Sequence, residues 1–203
     1  MKDPSNIEEV VILKPQYIGF ILYEGSPRYV SIKKAEDLVK NIPMAIQKTG
    51  VLVNEPIENA LRIAQSGIFD LLQLHGNESA DYCKKLSVKI KIIKAFSISK
   101  TLPQNLSDYQ PFCTMFLFDT AGRNYGGTGK MFDHSLINKY PLITDYILSG
   151  GISAFDSTYI KSIHSEKMVG VDLNSRFEVE PGIKDISLLK YFIENIRTHD
   201  NND

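Results

Sequence analysis

Cysteine is scarce: 2 residues among 203 supply neither a disulfide framework nor a cysteine-rich zinc cluster. No apolar run approaches the roughly 18 residues of a membrane span. An excess of one charge is also missing, since 23 Lys+Arg face 24 Asp+Glu for a net charge of -1. That balance argues against a broad basic surface for nucleic acid. The opening residues, MKDPSNIEEV, lack the basic-then-apolar layout of a secretory signal. What is present is ordinary: 43% hydrophobic and 23% charged residues, the composition of a globular, cytoplasmic protein. No Gly/Ser or Pro-rich linker interrupts the chain, so residues 1–198 read as one domain and 199–203 as a polar tail.

Short, mainly apolar runs recur at Tyr17–Leu22, Gly50–Asn54, Phe69–Gly76, Ile90–Phe96, Met115–Thr120, Asp145–Gly151 and Val169–Asn174. Alternation within them is weak, as in strands buried on both faces of a parallel sheet. Amphipathic segments of helical period separate them, such as Ile32–Ile42 with Ala35, Leu38 and Val39 on one face. Further helices are expected from Glu55-Pro56 onward and over 78–86, 101–109, 133–139, 153–163 and 185–197, with 101–109 weakened by Pro103. Strand starts are spaced by about 25 residues, a natural repeat for a barrel of alternating strands and helices.

The chain opens on a helix, capped by Asp3 or Ser5 with Pro4 near its start. One repeat back from Tyr17 falls before Met1. The pattern predicts a (β/α)8 TIM barrel without its first strand: seven strands and eight helices. A seven-stranded open sheet or a doubly wound fold with a leading helix fits the same pattern. A missing strand would leave facing edges on the strands at 17–22 and 169–174.

In a parallel barrel the chemistry sits where the strands end. Asp119 closes the run MFLFDT, and partial desolvation there would suit a general acid, although a turn aspartate reads the same way. Ser149-Gly150-Gly151 and Asp172-Leu173-Asn174-Ser175 follow the last two strands, the usual phosphate position of such barrels. Paired glycines before a helix let backbone N–H groups approach an anion. Asp172 is itself an anion, so its carboxylate is expected to turn away, onto backbone amides. Arg28 could pair with a carboxylate or stack on a ring, or simply face solvent. His75 at a strand end could titrate near neutrality or serve structure alone. Gly126-Gly127-Thr128-Gly129-Lys130 lacks the spacing of a nucleotide-binding loop and suits a lid with glycine hinges. Cys83 and Cys113 read as packing residues.

The segments YIGFILYEGSPRYV, VNEP, QLHGNES, KAF, LFDT, GGTGKMFDHSL, LSGG and GVDLNSRFEVEPGIKD follow one another in an order that resembles the phosphoribosylanthranilate isomerases of tryptophan biosynthesis, from Lys2 to Ile193. The resemblance implies a barrel without metal or organic cofactor, monomeric or homodimeric, acting on a small phosphorylated substrate by an Amadori rearrangement. It makes Asp119 the acid that protonates the ribose ring oxygen. It places Arg28 on the anthranilate part, and Gly150, Gly151, Asp172, Asn174 and Ser175 around the phosphate. The base of the family is a cysteine in a K-[IV]-C-G motif that ends the first strand. MKDPSNIEEV resembles the segment just after that motif, and neither Cys83 nor Cys113 aligns with it. The expectation is a chain with acid and binding groups but impaired turnover, or a barrel that only binds a phosphorylated sugar. A weaker resemblance, to indole-glycerol-phosphate synthase, would need Lys94 at a strand mouth with further lysine and glutamate partners.

Overall fold

The computed structural model describes residues 1–120, 136–137 and 140–198. Helix α1 (Pro4–Ile12) is followed by β1 (Tyr17–Ile21), α2 (Ile32–Val39), β2 (Gln47–Leu52), α3 (Ile57–Gln65), β3 (Leu71–Leu74), α4 (Ala80–Ser87), β4 (Lys91–Ile98), α5 (Leu106–Tyr109), β5 (Met115–Thr120) and β6 (Tyr146–Leu148). Then come α6 (Ser157–Lys161), β7 (Met168–Val171), a 3-10 turn (Ser175–Phe177), the short strands β8 (Glu178–Glu180) and β9 (Ile183–Lys184), and α7 (Ile186–Arg197). Strands β1 to β7 pair in chain order, every pair parallel. This is the expected seven-stranded (β/α) barrel.

Helix starts follow the capping chemistry. Asp3, Ser31, Ser79 and Asp185 each accept the N–H three residues on, at α1, α2, α4 and α7. Two expected helices shrink. The 101–109 segment keeps only Leu106–Tyr109, since Pro103 supplies no N–H. The 153–163 segment starts at Ser157 because Asp156 Oδ2 takes the Ser153 N–H at 2.6 Å and its hydroxyl at 2.7 Å, a turn that delays the helix. The 133–139 helix and the GGTGK lid lie wholly or largely outside the described residues, among which there are seven α-helices. Strand β2 begins at Gln47, three polar residues before the apolar run. The antiparallel β8–β9 hairpin was not expected.

Two apolar layers explain the doubly apolar runs. Leu71, Ile93, Ala95, Met115, Leu117 and Ile147 point inward and pack together inside the barrel. Their neighbours Leu72, Leu74, Ile92, Phe116, Phe118 and Leu148 point outward, into the larger core under the helices. The sheet is curled, for Tyr17 on β1 places its hydroxyl 3.9 Å from Met115 Sδ on β5. The edges of β1 and β7 flank a cavity that reaches from the C-terminal ends of the strands to Leu13 and Arg197 at the other end. Just past β1 the chain turns back, and Val30 N–H donates to Ile21 O at 2.9 Å, satisfying a carbonyl on that edge. At the opposite end Arg197 donates to Leu13 O and Lys14 O, tying α7 to the α1–β1 turn.

Candidate active site

Strand alternation places the first cluster. On β3 the inward column runs Leu71, Gln73, His75, and on β5 Met115, Leu117, Asp119. The Gln73 amide Nε2 lies 2.8 Å from His75 Nδ1, and His75 Nε2 lies 3.2 Å from Asp119 Oδ2. With the amide donating to Nδ1, the neutral imidazole carries its proton on Nε2 and donates it to the carboxylate. His75 and Asp119 are 23% and 18% exposed, so both meet the cavity from its wall.

Gly150 closes against this aspartate. A Cβ there would stand 2.5 Å from Thr120 N and 2.6 Å from Asp119 Oδ1, and its φ of 88° is left-handed. Only glycine satisfies both conditions. Gly151 follows with φ 73°. The helix N-terminus expected behind these glycines is absent from their vicinity: α6 begins only at Ser157 and is five residues long. Asp172 does turn aside, as expected, but onto a side chain rather than backbone amides: its Oδ2 accepts from Ser149 Oγ at 2.9 Å.

The second cluster gathers at the β8–β9 hairpin. Arg28 donates from Nε to both Glu178 oxygens at 3.0 and 2.8 Å, and from Nη2 to Oε2 at 2.6 Å. Lys184 Nζ donates to Glu178 Oε1 at 3.2 Å and to Asn174 O and Oδ1, both at 3.1 Å. Burial alone would raise the Glu178 pKa, but the Arg28 hydrogen bonds and the charges of Lys184 and Arg28 outweigh it, and the group titrates below the ordinary carboxylate value. Burial lowers the Lys184 pKa despite the nearby Glu178 and Asp172. Sequence reasoning missed Glu178 and Lys184. Glu178 and Arg28 are 150 residues apart in sequence, and Lys184 meets Glu178 and Asn174 only through the unexpected hairpin.

Both clusters line one cavity of about 620 Å³, together with Ser149, Gly150, Gly151, Asp172, Asn174 and Ser175. The same cavity continues along the gap between β1 and β7, where Val10, Leu13, Phe192 and Ile196 line it, so the ligand site is only its part at the strand ends. All seven residues expected at the site are therefore brought together. Lys94 is not among them. It follows the inward Ile93, so it points outward, where Nζ donates to Leu74 O, Gly76 O, Ala95 O and Glu78 Oε2. Glu78 in turn accepts from Asn54 N and Gly76 N. This buried pair braces the loops after β2 and β3, and with them His75. Cys83 and Cys113 are buried and do not line the cavity. Among the described residues no helix is long and apolar enough to cross a membrane, and no group of three His, Cys, Asp or Glu could hold a metal ion.

The sequence profile of N-(5'phosphoribosyl)anthranilate (PRA) isomerase matches residues 1–195. The N-(5'-phosphoribosyl)anthranilate isomerase of Parabacteroides distasonis is 41% identical over 199 residues, covering 97% of this chain and 90% of that protein. The crystal structure of phosphoribosyl anthranilate isomerase from Thermotoga maritima is 32% identical with a TM-score of 0.83, covering 97% of this chain and 95% of that one. A structure of phosphoribosyl anthranilate isomerase in complex with reduced 1-(o-carboxyphenylamino)-1-deoxyribulose 5-phosphate is 29% identical, with a TM-score of 0.80 and coverage of 97% and 94%. The chain belongs to the N-(5'-phosphoribosyl)anthranilate isomerase family.

Proposed function

We propose that this protein works in tryptophan biosynthesis, in the cytoplasm, rearranging N-(5'-phosphoribosyl)anthranilate to 1-(2-carboxyphenylamino)-1-deoxyribulose 5-phosphate. The observation that carries the reading is one cavity holding Asp119, Arg28 and both loops after β6 and β7. Asp119 acts in its protonated form, with Oδ2 accepting from His75 Nε2, and gives its proton to the ribose ring oxygen; the C1–O bond breaks as the anilino nitrogen lone pair forms the Schiff base. Arg28 receives the anthranilate carboxylate, for which its planar fork is suited. Gly150, Gly151 and the Asp172–Ser175 segment receive the phosphate.

A base must then take the C2 proton, and the resemblance to the family implies that this base is a cysteine. The two thiols of these 203 residues, Cys83 and Cys113, lie outside the cavity. Turnover by the 203-residue chain is therefore expected to be impaired, while ligand binding persists. The test uses freshly generated phosphoribosylanthranilate, followed by loss of its fluorescence, beside calorimetry with the reduced product analogue. Binding with slow or no conversion supports the reading. Failure to bind the analogue contradicts it, and turnover at the rate of the Thermotoga relative contradicts the expectation of impairment.

A further inference from the structure

The proposed function assigns Arg28 to one end of the ligand and Asn174 to the other, and the following inference rests on it. We infer that Glu178 is a positioning residue that sets both ends at once. Its one carboxylate aims Arg28 at the carboxylate end of the ligand and, through Lys184, holds Asn174 at the phosphate end.

Donor bookkeeping supports this. Glu178 is 4% exposed, and its oxygens receive Arg28 Nε and Nη2, Lys184 Nζ and the Gly182 N–H at 3.2 Å. An ionised carboxylate has about four acceptor sites, so these donors saturate it. It can neither take a substrate proton nor bind a ligand donor, and its role is confined to its partners. Lys184 is likewise committed, because its three N–H groups go to Asn174 O, Asn174 Oδ1 and Glu178 Oε1. It shapes the segment after β7 without a donor left for phosphate. Arg28 has five donors, and Glu178 takes only the Nε and Nη2 edge of the fork, leaving the Nη1 edge for a ligand.

The hub is also anchored. Asn6 on α1 is buried and exchanges two hydrogen bonds with the Lys184 backbone, Nδ2 to O at 2.9 Å and N to Oδ1 at 2.7 Å. Gly182, with φ 88°, turns the hairpin so that its N–H meets the carboxylate. The two cations thus converge on a fixed point instead of a mobile side chain.

The test measures binding of three probes: anthranilate, ribose 5-phosphate and the reduced product analogue. Glu178→Gln should weaken both half-ligands, each by about tenfold. Arg28→Met should weaken anthranilate alone, and Lys184→Met ribose 5-phosphate alone. A general loss of structure would not divide the probes in this way. If E178Q weakens only one half-ligand, or neither, the inference is overturned. Should E178Q unfold, Lys184→Met decides: equal loss on both half-ligands, or none on ribose 5-phosphate, overturns it. If the unsubstituted chain binds none of the three, the proposed function has failed before Glu178 is tested.

Discussion

Replacing Lys94 by Met should destabilise the protein sharply, although Lys94 lies outside the cavity. Its ammonium is 3% exposed and Glu78 is 1% exposed. Lys94→Met leaves the Glu78 carboxylate with only the Asn54 and Gly76 N–H groups and removes a donor from three carbonyls. Breaking a buried pair from one side costs about 3 to 5 kcal/mol, because the surviving charge stays buried without compensation. With an unfolding entropy of about 2.1 cal/mol/K per residue, 203 residues convert that into a fall in Tm of about 7 to 12 °C. Glu78→Gln keeps an acceptor for Asn54 and Gly76 and should cost less. The double variant removes both charges, so its loss should fall short of the sum by at least about 1 kcal/mol. Thermal and urea unfolding followed by circular dichroism reads all four proteins. A Lys94→Met shift under about 2 °C, or strict additivity, would refute the idea that this pair braces the β2 and β3 loops.

Other consequences are equally specific. Asp119→Asn should lower whatever turnover the protein shows by about 100- to 10,000-fold, the usual worth of a general acid. Binding of the product analogue should stay within a few fold, and an unchanged kcat would remove Asp119 from the mechanism. Gly150→Ala should lose activity and stability together, since its Cβ would meet Thr120 N and Asp119 Oδ1 at a φ of 88°. Wild-type turnover and Tm in that variant would show that the close approach is unimportant. Glu178 titrates below its ordinary value of about 4.5, so its contribution to stability is present above that pH and is lost as pH falls through the folded value. Tm should therefore drop more steeply on acidification in the unsubstituted protein than in Glu178→Gln, and parallel curves would contradict this.

The strand order was legible in sequence because alternate residues feed two apolar layers. A run such as Ile92-Ile93 or Phe116-Leu117-Phe118 is apolar throughout for that reason. The same alternation held information that composition alone did not release. It aligns Gln73 with His75, and it turns Lys94 away from the mouth because Ile93 and Ala95 face inward. Asp119 and the 149–151 and 172–175 loops were readable as strand ends. The Glu178 and Lys184 network was not. Each looks like an ordinary surface charge until the hairpin places Glu178 against Arg28, 150 residues away, and Lys184 against Asn174. Helix α6 was overestimated because helical period says nothing of the competing Ser153–Asp156 turn.

The central claim is that the cavity grips an anthranilate carboxylate at Arg28 and a sugar phosphate at the loops after β6 and β7. Calorimetric titration with reduced 1-(o-carboxyphenylamino)-1-deoxyribulose 5-phosphate tests it most directly. The account predicts one molecule bound per chain, with affinity at least about tenfold weaker in Arg28→Met. No binding, or affinity that Arg28→Met leaves unchanged, would contradict it.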